Sequence, residues 1–506
     1  MQKHDCMVIG DSLAAIHTAC ELSSESYVTL IRPVTIPVEL HETPLGTFDC
    51  DLASGCDLSY FAAGEDAGNL YGVLDNIKLF KEAFHFWEKD SHLVEPTSQT
   101  EFLLKLSRQY PDHSEFISRF GSQIDHIHDI LDEIETKTGL IPPFLPKQSV
   151  RIFSQLHPWV SAQVTRLQNI RFGRFLASFN LPADLVQLYN VMCHDFTGLG
   201  PESLDTLTGI ALITRRFHGL SYPDGGWVTL KDAMLEHLRN SPNCKIIGGK
   251  PVDIIRSSSG VAYEVCIDER DAHQFDWLIV DQTVGMLGFD GHYSAQARFY
   301  PLSCYSRSQV DFKLFVGWES QSPKNFPVGV NYIYADTKFP PQAPHLVRVD
   351  CMPEDKSGDS ELKTKLTLRG KYPCERIVSS WGARVDSSII QDQLIRFLID
   401  SSIPLPASEP DYLEMVFPSD CQNPFETDTK CAAVSPDEFA RNHKNVWCIH
   451  GSGINGGSMR LAFRCGERIA SHINQQKRIR QVLHDMVVKP VKMVPGFAKI
   501  LDEVKK

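Results

Sequence analysis

The chain has 506 residues, 42% of them hydrophobic and 22% charged, with a formal net charge of −13. That length allows two or more domains with sizeable cores, and that composition excludes a disordered chain. The acidic excess and the absence of a basic tract in the body argue against nucleic-acid binding, which rests on neutralising phosphates.

No stretch reaches the roughly 18 uninterrupted apolar residues of a membrane span. The opening MQKHDCMVIG lacks the apolar run of a secretory signal. Fourteen cysteines with no C-x-x-C pair read as reduced, buried thiols of a cytoplasmic protein.

Residues 5–10 (DCMVIG) predict a short buried strand that stops at Gly10. Leu13, Ile16, Ala19 and Cys20 then fall at helical spacing, and YVTLI at 27–31 is a β-branched strand. Strand, glycine turn, helix and strand in so short a span make a βαβ unit, the start of a parallel sheet. Residues 77–136, beginning IKLFKEAFHFWEK, are expected to form long helices, and a second helical set is expected over 160–215. At 221–283 the α/β order returns: SYPDGGW as a turn, a helix over Thr229–Arg239, then CKIIGG, PVDIIR, VAYEVCID and DWLIVDQ as strands. Residues 305–433 mix strands (VDFKLFVGW, HLVRVDCM) with proline-rich loops and one helix near 387–400. A last strand, NVWCIHG, leads through SGINGG into a helix ending near Ile473. The expected architecture is therefore α/β, with a discontinuous dinucleotide-binding domain (1–60, 221–300 and 436–476). A helical insertion or lid covers 61–220, an α+β substrate domain covers 301–435, and a basic amphipathic tail covers 477–506.

Three stretches bear on chemistry. In Gly10-Asp11-Ser12-Leu13-Ala14-Ala15 only the first glycine of a G-x-G-x-x-G remains. Ser12 is small enough to admit a phosphate and Ala15 to let the helix pack, but a carboxylate at Asp11 repels an anion unless it turns away. The plainer reading is a βα turn with Ser12 as helix cap. At the end of the second strand, where a dinucleotide site wants a carboxylate for the ribose hydroxyls, stands Arg32, which has donors only. Replacing Arg32 by glutamate is expected to restore that bond. Finally, Gly451, Gly453, Gly456 and Gly457 lie between a strand and a helix, in a loop whose backbone can press on a flat ligand; a flexible turn is the alternative.

The βαβ start, the Tyr222-Pro223-x-Gly225-Gly226 turn, the strands holding Val252 and Ile255, the run DWLIVDQ, and the terminal Gly-rich loop before a helix containing Gly466 occur in that order. In this the chain resembles the phytoene desaturases, retinol saturases and carotenoid isomerases of the amine-oxidase-like flavoproteins. The match is strongest at 205–283 and 440–473. It departs at His450, commonly acidic in that family, and at ETPLGTFDCDLASG, which replaces a Gly-Gly-Arg element. The resemblance implies a Rossmann-like domain holding extended FAD. Gly10, Ser12, Leu13, Ala15 and Arg32 would lie along the diphosphate and ribose, Val252 by its backbone at the adenine end, and Gly451, Gly453, Gly456 and Gly457 by the isoalloxazine. It also implies hydride transfer at the flavin, with an apolar, acyl- or isoprenoid-like substrate. A flavin-free relative serving as a protein-binding subunit is the rival, since Rab GDP-dissociation inhibitors show that the superfamily includes such members. No residue is singled out as catalytic, and no metal is expected.

Other constellations weigh less. His126 and His128 point to different sides of a helix and cannot share a metal by themselves. Cys193, His194 and Asp195 follow a helix without metal or triad spacing. Phe80, Phe84, Phe86 and Trp87 read as core, with a substrate tunnel as the alternative. The tail 477–506 holds eight Lys/Arg against three Asp/Glu. It fits either an anionic membrane surface or docking on its own domain.

Overall fold

The computed structural model describes residues 3–32, 40–49, 77–80, 82–88, 91–96, 98–138, 152, 154–197, 200–217, 220–223, 226–249, 251–256, 262–268, 271–281, 309–319, 328–334, 346–351, 362–373, 387–400, 403–406, 408–416, 445–449, 466–467, 469–479 and 482.

β1 (Lys3–Ile9) buries Cys6, Met7, Val8 and Ile9 completely, as a strand covered on both faces must. Its chain turns at Gly10 into α1 (Leu13–Ser23), whose N-cap is Ser12, and returns as β2 (Val28–Arg32). A hairpin follows, β3 (Leu40–Thr43) and β4 (Gly46–Asp49). Next come β5 (Ile77–Phe80), β6 (Glu82–Glu88) and β7 (Ser91–Pro96). A helical block is built from α2 (Gln99–Gln109), α3 (Ser114–Thr138), α4 (Pro158–Gln168), α5 (Phe172–Ala177), α6 (Ala183–Thr197) and α7 (Thr206–Arg216). The chain then runs through β8 (Leu220–Pro223), α8 (Trp227–Asn240), β9 (Cys244–Gly248), β10 (Pro251–Arg256), β11 (Ala262–Ile267) and β12 (Asp271–Asp281). β13 (Gln309–Trp318), β14 (Gly329–Tyr334), β15 (Leu346–Cys351), β16 (Thr364–Pro373), α9 (Ser387–Asp400), β17 (Tyr412–Val416) and β18 (Val446–Ile449) complete it.

The first sheet has the order β10-β11-β12-β1-β2-β9, with β18 beside the far half of β12. β18, β12, β1, β2 and β9 run parallel, and β10 and β11 form an antiparallel extension. Its strands come from three separated stretches of chain, which is the discontinuous α/β organisation expected. α1 is buried along nearly its whole length and packs against α8. It also meets the C-terminal helical segment, where a Cβ at Gly466 would overlap Thr18 Oγ1.

The second sheet, β17-β13-β16-β15-β14-β6-β7, is antiparallel apart from the β14–β6 pair. One face packs Leu314, Val316, Val347, Val349, Leu366 and Leu368 against Leu394 and Leu398 of α9. The other face, with Phe84, Phe86, Phe315 and Val330, joins the core shared with the first sheet and the helical block. Phe48 of β4 is fully buried against Phe315 (ring centroids 5.3 Å apart) and Tyr412 (5.5 Å), which ties the β3–β4 hairpin to the second sheet.

Four expectations are corrected. The described residues 77–80, 82–88 and 91–96 form β5, β6 and β7, not helix. The aromatic spacing of 84–87 is a strand alternation in which all four residues are buried: Phe84 and Phe86 face one core, while Trp87 faces the other and donates its Nε1–H to Asn331 Oδ1 at 3.0 Å. A strand packed on both faces shows no polar stripe, so its pattern does not separate it from a helix. Part of SYPDGGW is strand, since Leu220–Pro223 pairs with β5. Cys193, His194 and Asp195 lie inside α6 rather than after a helix. The C-terminal segment is helical at 466–467 and 469–479, past Ile473. There Lys477 Nζ reaches Asp5 Oδ2 (3.1 Å) and Ser26 Oγ (2.7 Å), and Arg478 pairs with Glu25 (2.6 Å), so the start of the basic tail docks on the first sheet's own elements. Among the described residues no helix is long and apolar enough to cross a membrane.

Candidate functional site

The carboxyl ends of parallel strands are where α/β folds place ligands, and β1 and β2 end side by side here. Gly10 N–H donates to Ile31 O at 3.0 Å and closes the turn. Ser12 is buried and its Oγ accepts from Ala15 N–H at 3.2 Å, so the capping reading of Ser12 holds. Leu13 and Ala15 are buried beneath the first turn of α1, whose opening turn carries no acidic residue. Gly10, Ser12, Leu13 and Ala15 thus share one turn, and Arg32 at the tip of β2 lies across from it. Val252 follows β9 by four residues on β10, and the connecting Gly249 N–H donates to Arg32 O at 3.1 Å. Gly451, Gly453, Gly456 and Gly457, with His450, lie outside the described residues.

The turn holds a charge cluster. Asp11 Oδ1 accepts from Arg32 Nε, and Asp11 Oδ2 accepts from Lys231 Nζ at 2.7 Å. The three side chains are graded in exposure: Lys231 6%, Asp11 16% and Arg32 32%. Two cations around one carboxylate leave the cluster net positive, so the expected repulsion between Asp11 and an anion is cancelled inside the protein. The same contact reverses the expectation for Arg32→Glu, which would set a second carboxylate against Asp11.

Lys231 belongs to no motif visible in the sequence. It stands on α8 beside Met234, Leu235 and Leu238, all buried, and a lysine on an apolar stripe needs a buried anion nearby. That stripe is the one signal that points to it. α8 is launched by Gly226, whose φ of 81° suits glycine, so the Gly of the Y-P-x-G-G turn serves to aim Lys231.

Small residues, the positive end of α1 and a net positive cluster suit the diphosphate of a dinucleotide. Among the described residues the end of β2 carries Arg32, and the carboxylate beside it, Asp11, is already bonded to two cations, so a bare ribose diol does not meet the free carboxylate it would ordinarily bind. Below the turn, burial pushes the Cys6 thiol up to about 12 and the Cys244 thiol up to about 11, which makes both inert at neutral pH.

A second polar cluster lies on the inner face of the second sheet. Arg348 Nε and Nη2 donate to Asp350 Oδ1 and Oδ2 at 2.6 and 2.8 Å, and both residues are buried. Register places Asp350 in one row with Val330, Phe84, Thr367 and Phe315. His126 packs at a tilt against Trp159 and His128 lies 3.6 Å from Asp132, so those two histidines diverge as expected.

No protein-family model matches the chain, and no curated protein matches it in sequence. Solved structures do share its fold. An oxidoreductase from Methanosarcina mazei superposes with a TM-score of 0.56 at 14% identity, covering 93% of this chain and 100% of that one. A putrescine oxidase redesigned in its cofactor binding gives 0.55 at 12% identity (94% and 99% covered). A reduced UDP-galactopyranose mutase gives 0.54 at 10% identity (94% and 95% covered). At these identities the likeness establishes the fold.

Proposed function

We propose that this chain is an FAD-dependent oxidoreductase, similar to the phytoene desaturase group, acting on a long or bulky apolar substrate. The observation that carries the reading is the two-sheet architecture, shared over nearly the whole chain with the M. mazei oxidoreductase and the putrescine oxidase. FAD when bound supplies hydride-transfer chemistry at its ring. In this reading Gly10, Ser12, Leu13 and Ala15 form the turn at the diphosphate. Val252 takes the adenine end, and Gly451, Gly453, Gly456 and Gly457 take the ring. The first sheet's three stretches act as the cofactor domain, and 301–435 joined by β6 and β7 acts as the substrate domain. Phe48, Phe84, Phe86 and Phe315 on the inner core favour an apolar substrate.

A second reading, a flavin-free subunit that binds a protein partner, is favoured by one contact. Arg32 fills the ribose-acceptor position and is already bonded to Asp11. Absorption of the purified protein decides between them. The oxidoreductase reading expects flavin bands and release of FAD on heating. A colourless protein that takes up no added FAD in titration refutes it.

A further inference from the structure

The Arg32 guanidinium is held by one edge only. Its Nε is bonded to Asp11 Oδ1, and among the described residues its side chain has no other partner. The carboxylate that holds it is itself fixed from behind by Lys231 Nζ at 2.7 Å, from a lysine side chain only 6% exposed. Arg32 is 32% exposed. Its terminal amino groups, a planar fork suited to two oxygens of one anion, are therefore left available in a fixed orientation.

The strand beside this fork is the outer one of the sheet, and its Gly248 is exposed. Arg32 pairs in register with Gly248 of β9. A Cβ built on Gly248 meets nothing within 4 Å. Directly opposed residues in a sheet project to the same face, so the volume next to Arg32 carries no side chain from β9. A guanidinium anchored by one edge, braced by a partly buried ion pair and open to solvent on the Gly248 side offers its remaining donors to an oxyanion.

We propose that Arg32 binds a phosphoryl group at the ribose end of this nucleotide site, with Asp11 and Lys231 as its positioning residues. The ligand class is a nucleotide recognised by phosphate rather than by its ribose diol. The phosphoryl group is either the 5′-diphosphate or a phosphate on the ribose itself. This deepens the nucleotide-site part of the proposed function, but its test needs no flavin and no turnover.

The test is calorimetric titration of the full chain with adenosine, ADP and adenosine 2′,5′-bisphosphate. The wild type is expected to bind ADP more tightly than adenosine. Arg32→Gln should lose about tenfold or more in affinity for ADP, for the 2′,5′-bisphosphate, or for both, as loss of a charged hydrogen bond implies, with adenosine affinity kept. Asp11→Asn should narrow the ADP-to-adenosine ratio in the same sense, which a purely structural role would not do. An equal loss for ADP and the 2′,5′-bisphosphate assigns the contact to the 5′-phosphates. A larger loss for the bisphosphate assigns it to the ribose phosphate. Gly248→Leu, at a position with open space, should keep the fold by circular dichroism yet weaken ADP binding, so the proposal stays falsifiable even if Arg32→Gln does not fold. The proposal is overturned if the wild type binds no probe, or if neither ADP nor the 2′,5′-bisphosphate weakens relative to adenosine in Arg32→Gln and Gly248→Leu. Absence of FAD with these ratios as expected would sink the oxidoreductase reading alone.

Discussion

Removing the carboxylate of Asp11 isolates a cation inside the protein, and the size of that effect follows from the geometry. At 2.7 Å from Lys231 Nζ, the Asp11 carboxylate contributes an attraction of about 6 kcal/mol at an effective dielectric near 20. Much of that attraction is offset by the desolvation of both charges, several kcal/mol each. In Asp11→Ala the attraction goes, while Lys231, with a side chain 6% exposed, stays desolvated. Breaking a buried pair from one side costs about 3–5 kcal/mol, and the partial exposure of Asp11 puts the expected loss near the lower end, about 3 kcal/mol. Lys231→Met alone leaves Asp11 paired with the partly exposed Arg32 and should cost only about 1 kcal/mol. The double variant Asp11→Ala/Lys231→Met, having no buried orphan charge, should be more stable than Asp11→Ala. Urea unfolding followed by tryptophan fluorescence reads this directly, because Trp277 and Trp447 are buried in the first sheet. A loss below about 0.5 kcal/mol in Asp11→Ala, or a double variant no better than that single one, would mean that the ion cluster does not organise the turn.

Other perturbations test separate parts of the fold. Gly466→Ala would push a methyl into Thr18 Oγ1 and to 3.3 Å from Thr18 Cβ. It should destabilise by about 1–3 kcal/mol, with partial rescue by Thr18→Ala, in the same unfolding assay. Phe48→Ala should cost about 3–5 kcal/mol and raise protease cleavage in the hairpin, because it removes a fully buried ring from Phe315 and Tyr412. Asp350→Ala should be far more damaging than Arg348→Met/Asp350→Leu, since only the single variant leaves a buried guanidinium without its carboxylate. Cys6, raised from 9.0 to about 12 by burial, favours its protonated form in the folded state. Its contribution is therefore full below pH 9 and lost as pH rises toward 12, and Cys6→Ala should flatten that part of an alkaline denaturation curve.

How far each element is legible in the sequence follows from how much it depends on its neighbours. β1, α1 and β2 are readable because Gly10, Ser12 and the buried run Cys6–Ile9 act locally. The helix at Ser387–Asp400 also emerges where its spacing places it. β6 does not, since Phe84, Phe86 and Trp87 become a strand only when β14 and β7 flank them. The β3–β4 hairpin is equally hidden, because its reason to exist is Phe48 meeting two rings of a sheet far along the chain.

The candidate site shows the same limit in its sharpest form. Taken one position at a time against a dinucleotide motif, Asp11 is a charge in the wrong place and Arg32 is a missing acceptor. Together they satisfy each other, and Lys231, 220 residues from Asp11, neutralises the remaining oxygen. Asp11 and Lys231 depend on these contacts. Asp11 without cations would repel a diphosphate, and Lys231 without Asp11 would be a buried charge with no counter-ion. The two departures are therefore one change, and its consequence is a polarity opposite to that of the usual strand end. Under the proposal, a strand end with a braced guanidinium where a dinucleotide site has a carboxylate would select phosphate oxygens in place of hydroxyl hydrogens on the same fold.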